Sequence, residues 1–98
     1  MVKVEWLEIA NNDLSQIYNY IYEDSVQYSI KTINDIISKT DNLEYFPYMG
    51  RKIPEFNEEN NRELIYKSYR IMYSIESNKI FIRRIWNSAR LLPKQLIS

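Results

Sequence analysis

The stretch from Asn61 to Arg90, NRELIYKSYRIMYSIESNKIFIRRIWNSAR, sets what this chain can fold into. Tyr69, Ile71, Tyr73 and Ile75 alternate with Arg70, Met72, Ser74 and Glu76, a period of two that belongs to a strand rather than a helix. β-Branched and aromatic side chains fill the stretch, and these fit a pleated, half-buried surface. Glu76-Ser77-Asn78-Lys79 interrupts the pattern, and its Asn tolerates the left-handed backbone of a tight hairpin. Ile80 to Trp86 resumes it with Phe81, Ile82 and Ile85 apolar on both faces, as in a strand central to its sheet. Glu63 to Lys67 is a shorter run, and Lys67-Ser68 is the turn into the next strand. Three consecutive strands are therefore expected, with the rest of the chain packed on them.

The preceding residues supply that packing. Val2, Val4 and Trp6 or Leu7 alternate with Lys3 and Glu5, a short first strand at or near a sheet edge, able to pair with a later one. Asn11, Asn12 and Asp13 are cap-type residues and place a helix start nearby. Leu14, Ile17, Tyr18, Ile21 and Tyr22 recur at three and four, an amphipathic stripe. Glu23-Asp24-Ser25 breaks it, and Ser25 caps a second helix with a stripe through Tyr28 or Ile30, Ile33, Ile36, Ile37, Thr40 and Leu43. The pair forms a helical hairpin whose apolar faces need the sheet. Tyr18, Tyr22 and Tyr28 read as packing material rather than a stacking platform. Pro47 ends the helical region, and Pro54 to Asn61 is a polar, acidic loop. Pro93 follows the last strand, and Lys94 to Ser98 is a short helical tail. The order is β-α-α-β-β-β, an α+β fold with a helical hairpin on a small antiparallel sheet, in one domain over residues 1–98.

Composition narrows the chemistry. The 98 residues support one modest core, and a hydrophobic content of 45% excludes a disordered chain. There is no cysteine and no histidine, which removes thiolate chemistry, the commonest general base and the commonest metal ligand. No apolar run reaches the roughly 18 residues of a membrane span, and MVKVEW lacks the apolar core of a signal peptide. A cytoplasmic protein without membrane contact, metal or cofactor is expected, with Glu58-Glu59-Asn60-Asn61 a solvated loop. The net charge of zero hides an asymmetry: residues 1–60 carry five basic residues against eleven acids, and residues 61–98 carry eight against two. Two accounts stay open, an anionic partner for the basic half or neutralisation of one half by the other across the fold.

The same residues resemble the RelE/ParE superfamily, the toxins of toxin–antitoxin (plasmid stabilisation) modules. The resemblance runs through a VxW first strand, the helix opening ANNDLSQIYNYI, the loop FPYMGRKIPE, the strands NRELIYKSYRIMY and the closing IRRIWNSARLLP, in that order and over nearly the whole chain. The long hairpin and the GRKIPE loop look more like the ParE branch than the compact RelE branch. RelE-like members cut messenger RNA at the ribosome, whereas ParE-like members inhibit DNA gyrase without chemistry of their own. Both are neutralised by a cognate antitoxin.

RNA cleavage of the RelE kind needs a base, a stabilised phosphorane and an acid. By the resemblance, Arg70 matches the arginine of the family's "YR", Arg90 the basic residue after the last strand, and Arg62 sits near the first basic position of its strand. Departures are equally specific. The second basic position falls on Leu64, the tail from Leu91 to Ser98 has no tyrosine, and Asn87 stands where many relatives carry a histidine or an acid. An arginine cannot readily act as the base, because its pKa is too high. The expected reading is a ParE-type toxin, a non-enzymatic growth inhibitor of gyrase, with Arg62, Arg70, Arg83 and Arg90 facing the target. The alternative is a ribosome-dependent endoribonuclease using Arg62, Arg70 and Arg90 on the scissile phosphate. A degenerate toxin that only binds antitoxin is the third. Against all site roles, Arg70 can simply pair with Glu63 or Glu76, and strand alternation puts Arg83 and Arg84 on opposite faces of the sheet. An amphipathic antitoxin segment is expected on the hairpin or on a sheet edge.

Overall fold

A computed structural model of the chain describes residues 1–89 and 92. The elements are β1 (Lys3–Trp6), α1 (Glu8–Tyr22), α2 (Val26–Asp41) with a 3₁₀ turn at Asn42–Glu44, β2 (Arg51–Lys52), β3 (Asn61–Tyr66), β4 (Tyr69–Glu76) and β5 (Lys79–Asn87). The five strands form one sheet in the order β1-β5-β4-β3-β2. The expected β-α-α-β-β-β order is present, with the two-residue β2 added. The sheet is mixed rather than wholly antiparallel, because β1 pairs parallel with β5 from Lys3↔Lys79 to Trp6↔Ile82. The tail beyond Pro93 and the nominated Arg90 lie outside the described residues.

Both hairpins turn on two residues, Lys67-Ser68 and Ser77-Asn78, and the first residue of each takes a positive φ, 52° at Lys67 and 55° at Ser77. The left-handed position expected at Asn78 therefore falls on Ser77. β4 and β5 run opposed from Glu76↔Lys79 to Tyr69↔Asn87 with one irregularity: Tyr73 pairs Ile82 and Met72 pairs Arg84, so Arg83 is an extra residue on β5. This bulge overturns the expectation that Arg83 and Arg84 face opposite ways. Arg83 keeps the parity of Phe81, Arg84 that of Trp86, and both belong to the face away from the helices.

The main core lies between the α1–α2 hairpin and the sheet. Ile71, Tyr73, Ile80 and Ile82 from the strands are fully buried with Ala10, Ile36 and Leu43, and Ile17 joins them. α1 begins at Glu8, directly after β1, with Leu7 at the cap position and no side-chain cap. Asn11, Asn12 and Asp13 therefore sit inside the helix, where Asp13 is used as a long-range partner. Ser25 does cap α2, its Oγ accepting from the Tyr28 N–H at 3.1 Å. The expected α2 stripe faces the core at Ile33, Ile36, Thr40 and Leu43 but not at Tyr28, Ile30 and Ile37. Ser29, Thr32, Ile36 and Thr40 point inward, while Tyr28, Ile30 and Ile37 are exposed, as are Tyr22 and Val26. Ser29 and Thr40 enter the core because each hydroxyl donates to the carbonyl three residues back, at 2.6 and 2.9 Å. Small inward residues bring α2 close to its neighbours and leave its larger apolar ones outside.

The opposite face of the sheet has a smaller core. The segment after β2 folds over it, placing Ile53 against Met72, both fully buried, with Phe56, Trp86 and Leu92 packed around them. The loop expected to be polar and acidic, Pro54 to Asn61, thus anchors itself through Phe56, with Ile53 just before it.

Candidate functional site

The described arginines nominated for a target or a phosphate, Arg62, Arg70 and Arg83, are built into separate structures. Arg70 stands on β4 opposite Ile65 of β3, on the face covered by the 51–56 segment. Its Nε donates to Glu63 at 2.7 Å, and its two terminal nitrogens donate to both oxygens of Glu55 at 2.8 and 2.7 Å. The other Glu63 oxygen accepts from Arg51 Nε at 2.7 Å, so Arg51, Glu63, Arg70 and Glu55 form one chain of charge-assisted bonds. The Glu63 side chain is wholly buried, and that of Arg70 is 9% exposed. The guanidinium holds the Glu55 carboxyl well below its ordinary value, at about 2. The same carboxylates push the Arg70 guanidinium further up, so it is a fixed cation with no proton to give.

Arg62 lies on the other face by strand alternation, since it pairs with the core residue Tyr73. It is a post under the loop before β2. Its Nη1 donates to the Gly50 and Tyr48 carbonyls at 2.8 and 3.5 Å, its Nε to the Glu59 carbonyl at 2.9 Å, and its Nη2 pairs with the Glu59 carboxylate. The guanidinium also stacks 4.9 Å from the Tyr48 ring centre. Arg62 and Arg70 are therefore not brought to one site. Arg84 binds Asp13 of α1 through two nitrogens at 2.8 and 3.2 Å, and Asp13 also accepts from the Ile85 N–H at 3.0 Å. β1 covers β5 only as far as Ile82, and the Asp13 carboxylate takes over the bare edge beyond it. Arg83 is the most loosely held, 3.4 Å from Ser74 Oγ and 3.6 Å from Glu76, with its Nε buried and without a partner.

Every described arginine of the sheet thus meets a carboxylate, and most of these come from residues 55–76 rather than from the helices. Of the two accounts of the charge asymmetry, this arrangement is neutralisation, carried out locally. Glu63 was a nominated partner of Arg70. Glu55 was not, because nothing local to it marks a partner 15 residues further on.

Two surfaces are apolar. On the hairpin, Leu14, Ser15, Tyr18 and Asn19 of α1 and Ile33 of α2 line a shallow groove of about 350 Å³. Val26, Ile30 and Ile37 continue it along α2 at helical spacing, between 37% and 48% exposed. The second surface is the loop from Tyr45 to Met49. Tyr45 and Phe46 are 65% exposed, and Tyr48 and Met49 are 50%. Its sequence signal is four large apolar residues in five, with no period to fold them inward.

The loop backbone is fixed from below. The buried Tyr73 hydroxyl accepts from the Gly50 N–H at 3.0 Å and donates to the Pro47 carbonyl at 2.8 Å. Burial pushes this phenol's pKa up, so it stays protonated and keeps its donor. Gly50 has no room for a side chain, because an added Cβ would lie 2.6 Å from both the Glu63 carbonyl and the Tyr73 hydroxyl. The Tyr48 hydroxyl bonds Asn60 at 3.1 Å, tying the loop to the acidic 58–60 turn.

A chain of the chromosomal ParDE TA system from P. aeruginosa has the same fold, with a TM-score of 0.74 and 22% identity over 89% of this chain and 96% of that one. No curated protein matches the sequence significantly. Among the described residues, no helix is long and apolar enough to cross a membrane. The family model described as the ParE toxin of the type II toxin-antitoxin system, parDE, matches residues 4–92. A match over nine-tenths of the chain, on a hairpin-and-sheet fold shared with a ParDE protein, places this chain in the ParE toxin family.

Proposed function

We propose that this protein is the growth-inhibiting toxin of its pair, held in check by an antitoxin in the cytoplasm, and that it acts by binding gyrase rather than by cutting RNA. The observation that carries the reading is the state of Arg70. A phosphate clamp needs an arginine with donors to spare, and three Arg70 donors are spent on two carboxylates, the buried Glu63 and the partly exposed Glu55. Arg62 supports a loop on the other face, so the two cannot close on one phosphate. Arg83 is the described candidate with the longest contacts, 3.4 Å to Ser74 and 3.6 Å to Glu76, and it is assigned to the target surface.

The antitoxin segment is assigned to the groove between α1 and α2, where the exposed Val26, Ile30 and Ile37 offer the spacing an amphipathic helix covers. The test is induced expression in bacteria, with supercoiling, DNA breaks and messenger integrity followed in one culture. DNA damage with intact messenger is the expected result, together with inhibition of purified gyrase. Messenger cleavage within codons would overturn the gyrase reading, and growth without any defect would leave only an antitoxin-binding module.

A further inference from the structure

The side chains of the Tyr45–Met49 loop lie outside both cores, the Arg51–Glu63–Arg70–Glu55 chain and the hairpin groove. It presents two tyrosines, a phenylalanine and a methionine to solvent on a backbone held by Tyr73 and Arg62. Soluble proteins rarely leave such side chains together in water, and aromatic residues and Met are enriched where proteins meet. Fixing the backbone in advance removes the ordering cost that a mobile loop would pay on binding.

The surroundings are acidic. Asp41 and Glu44 precede the loop, and Glu58 and Glu59 lie beside it through the Tyr48–Asn60 and Arg62–Glu59 contacts. Against them stand Arg62, which pairs with Glu59 and stacks on Tyr48, Lys52, 3.8 Å from Glu59, and Lys39, two residues before Asp41. Asp41, Glu44 and Glu58 have no cationic partner among the described residues. Such a rim repels phosphate, which disfavours nucleic acid, and it repels its own copy, which disfavours a symmetric dimer through this loop. The antitoxin groove shares no residue with it.

We propose that the Tyr45–Met49 loop is a preformed knob that inserts into an apolar groove rimmed by Lys and Arg on the protein this toxin inhibits. This rests on the reading that the toxin acts by binding a protein target. The test compares the wild-type toxin with Tyr45→Ser/Phe46→Ser and, separately, with Asp41→Lys/Glu58→Lys, in growth arrest and in inhibition of purified gyrase. Antitoxin binding and the urea midpoint of each variant are measured alongside. Tyr45 and Phe46 are solvent-facing, so both midpoints should stay where they are, and antitoxin binding should be unchanged. Loss of two such anchors should weaken inhibition at least about 30-fold. Charge reversal should weaken it several-fold and reduce its salt dependence. A wild-type protein that arrests nothing removes the target reading and the proposal with it. A toxic wild type with an equally toxic, folded Tyr45→Ser/Phe46→Ser variant overturns the knob alone. Loss of antitoxin binding, or dimerisation abolished by the same variant, would also overturn it by assigning the loop to another occupant.

Discussion

Replacing Arg70 by Ala separates a structural arginine from a functional one. The side chain is 9% exposed and makes three charge-assisted bonds, and its removal leaves the fully buried Glu63 carboxylate with Arg51 alone, which is itself 58% exposed. Breaking a buried pair from one side costs about 3–5 kcal/mol, because the remaining charge keeps its desolvation penalty. A chain of this length has roughly 5–15 kcal/mol of stability in total, so the variant loses a large share of it. With a urea slope of about 2 kcal/mol per molar, the midpoint should fall by roughly 1.5–2.5 M. A companion variant, Glu63→Met with Arg70→Leu, removes both buried charges and should recover at least half of that loss, since apolar replacement of a whole buried pair is often neutral. Equilibrium urea unfolding followed by tryptophan fluorescence and circular dichroism measures both. If Arg70→Ala moved the midpoint by less than about 0.3 M while abolishing growth arrest, the network would not be the reason for Arg70, and a direct role at a target would replace it.

Three further outcomes follow from the same contacts. Gly50→Ala forces a Cβ to within 2.6 Å of the Glu63 carbonyl and the Tyr73 hydroxyl, and should cost about 2–3 kcal/mol, read as a lower melting temperature. Asp13→Ala strips Arg84 and the Ile85 N–H of their shared acceptor and should cost about 2–3 kcal/mol, whereas Asp13→Asn keeps one acceptor and should cost about half as much. The Glu55 carboxyl is lowered from 4.5 to about 2, so it contributes stability above pH 4.5 that is lost as the pH falls towards 2. For a carboxylate one-third exposed to solvent this is about 1 kcal/mol, and Glu55→Gln should flatten the acid limb of the stability profile by that amount.

The parts of the fold that could be read from the sequence are those where one strand or helix decides its own pattern. The alternation from Tyr69 to Glu76 needs no partner to be recognised, and the apolar residues on both faces of Ile80–Trp86 placed that strand inside the sheet. Ser25 acts on the backbone three residues away. Features set by a partner were hidden. The Arg83 bulge exists only in the register between β4 and β5. The two residues of β2 are a strand only because Arg62 and Glu63 lie opposite. The inward Ser29 looks polar until its hydroxyl is seen to bond its own helix, as that of Thr40 does too. Of the arginine site, one partner of Arg70 was foreseen in Glu63. The opposite orientations of Arg62 and Arg70 follow from the β3–β4 register, which pairs Arg62 with Tyr73 and Arg70 with Ile65.

The parallel pairing of β1 with β5 bears on when this toxin can exist during its own synthesis. Residues 3–6 have no strand to join until residues 79–82 have left the ribosome, and α1 and α2 have no sheet to cover before β4 and β5 form. Contacts between distant parts of a chain are the slow ones to form, since loop-closure entropy is lost before they can stabilise anything. A nascent or truncated chain ending before Ile80 therefore holds neither the closed sheet nor the support for its surface loops. The fold closes only after its last strand has emerged, so the first strand and both helices wait for the sheet through the whole synthesis of residues 7–78.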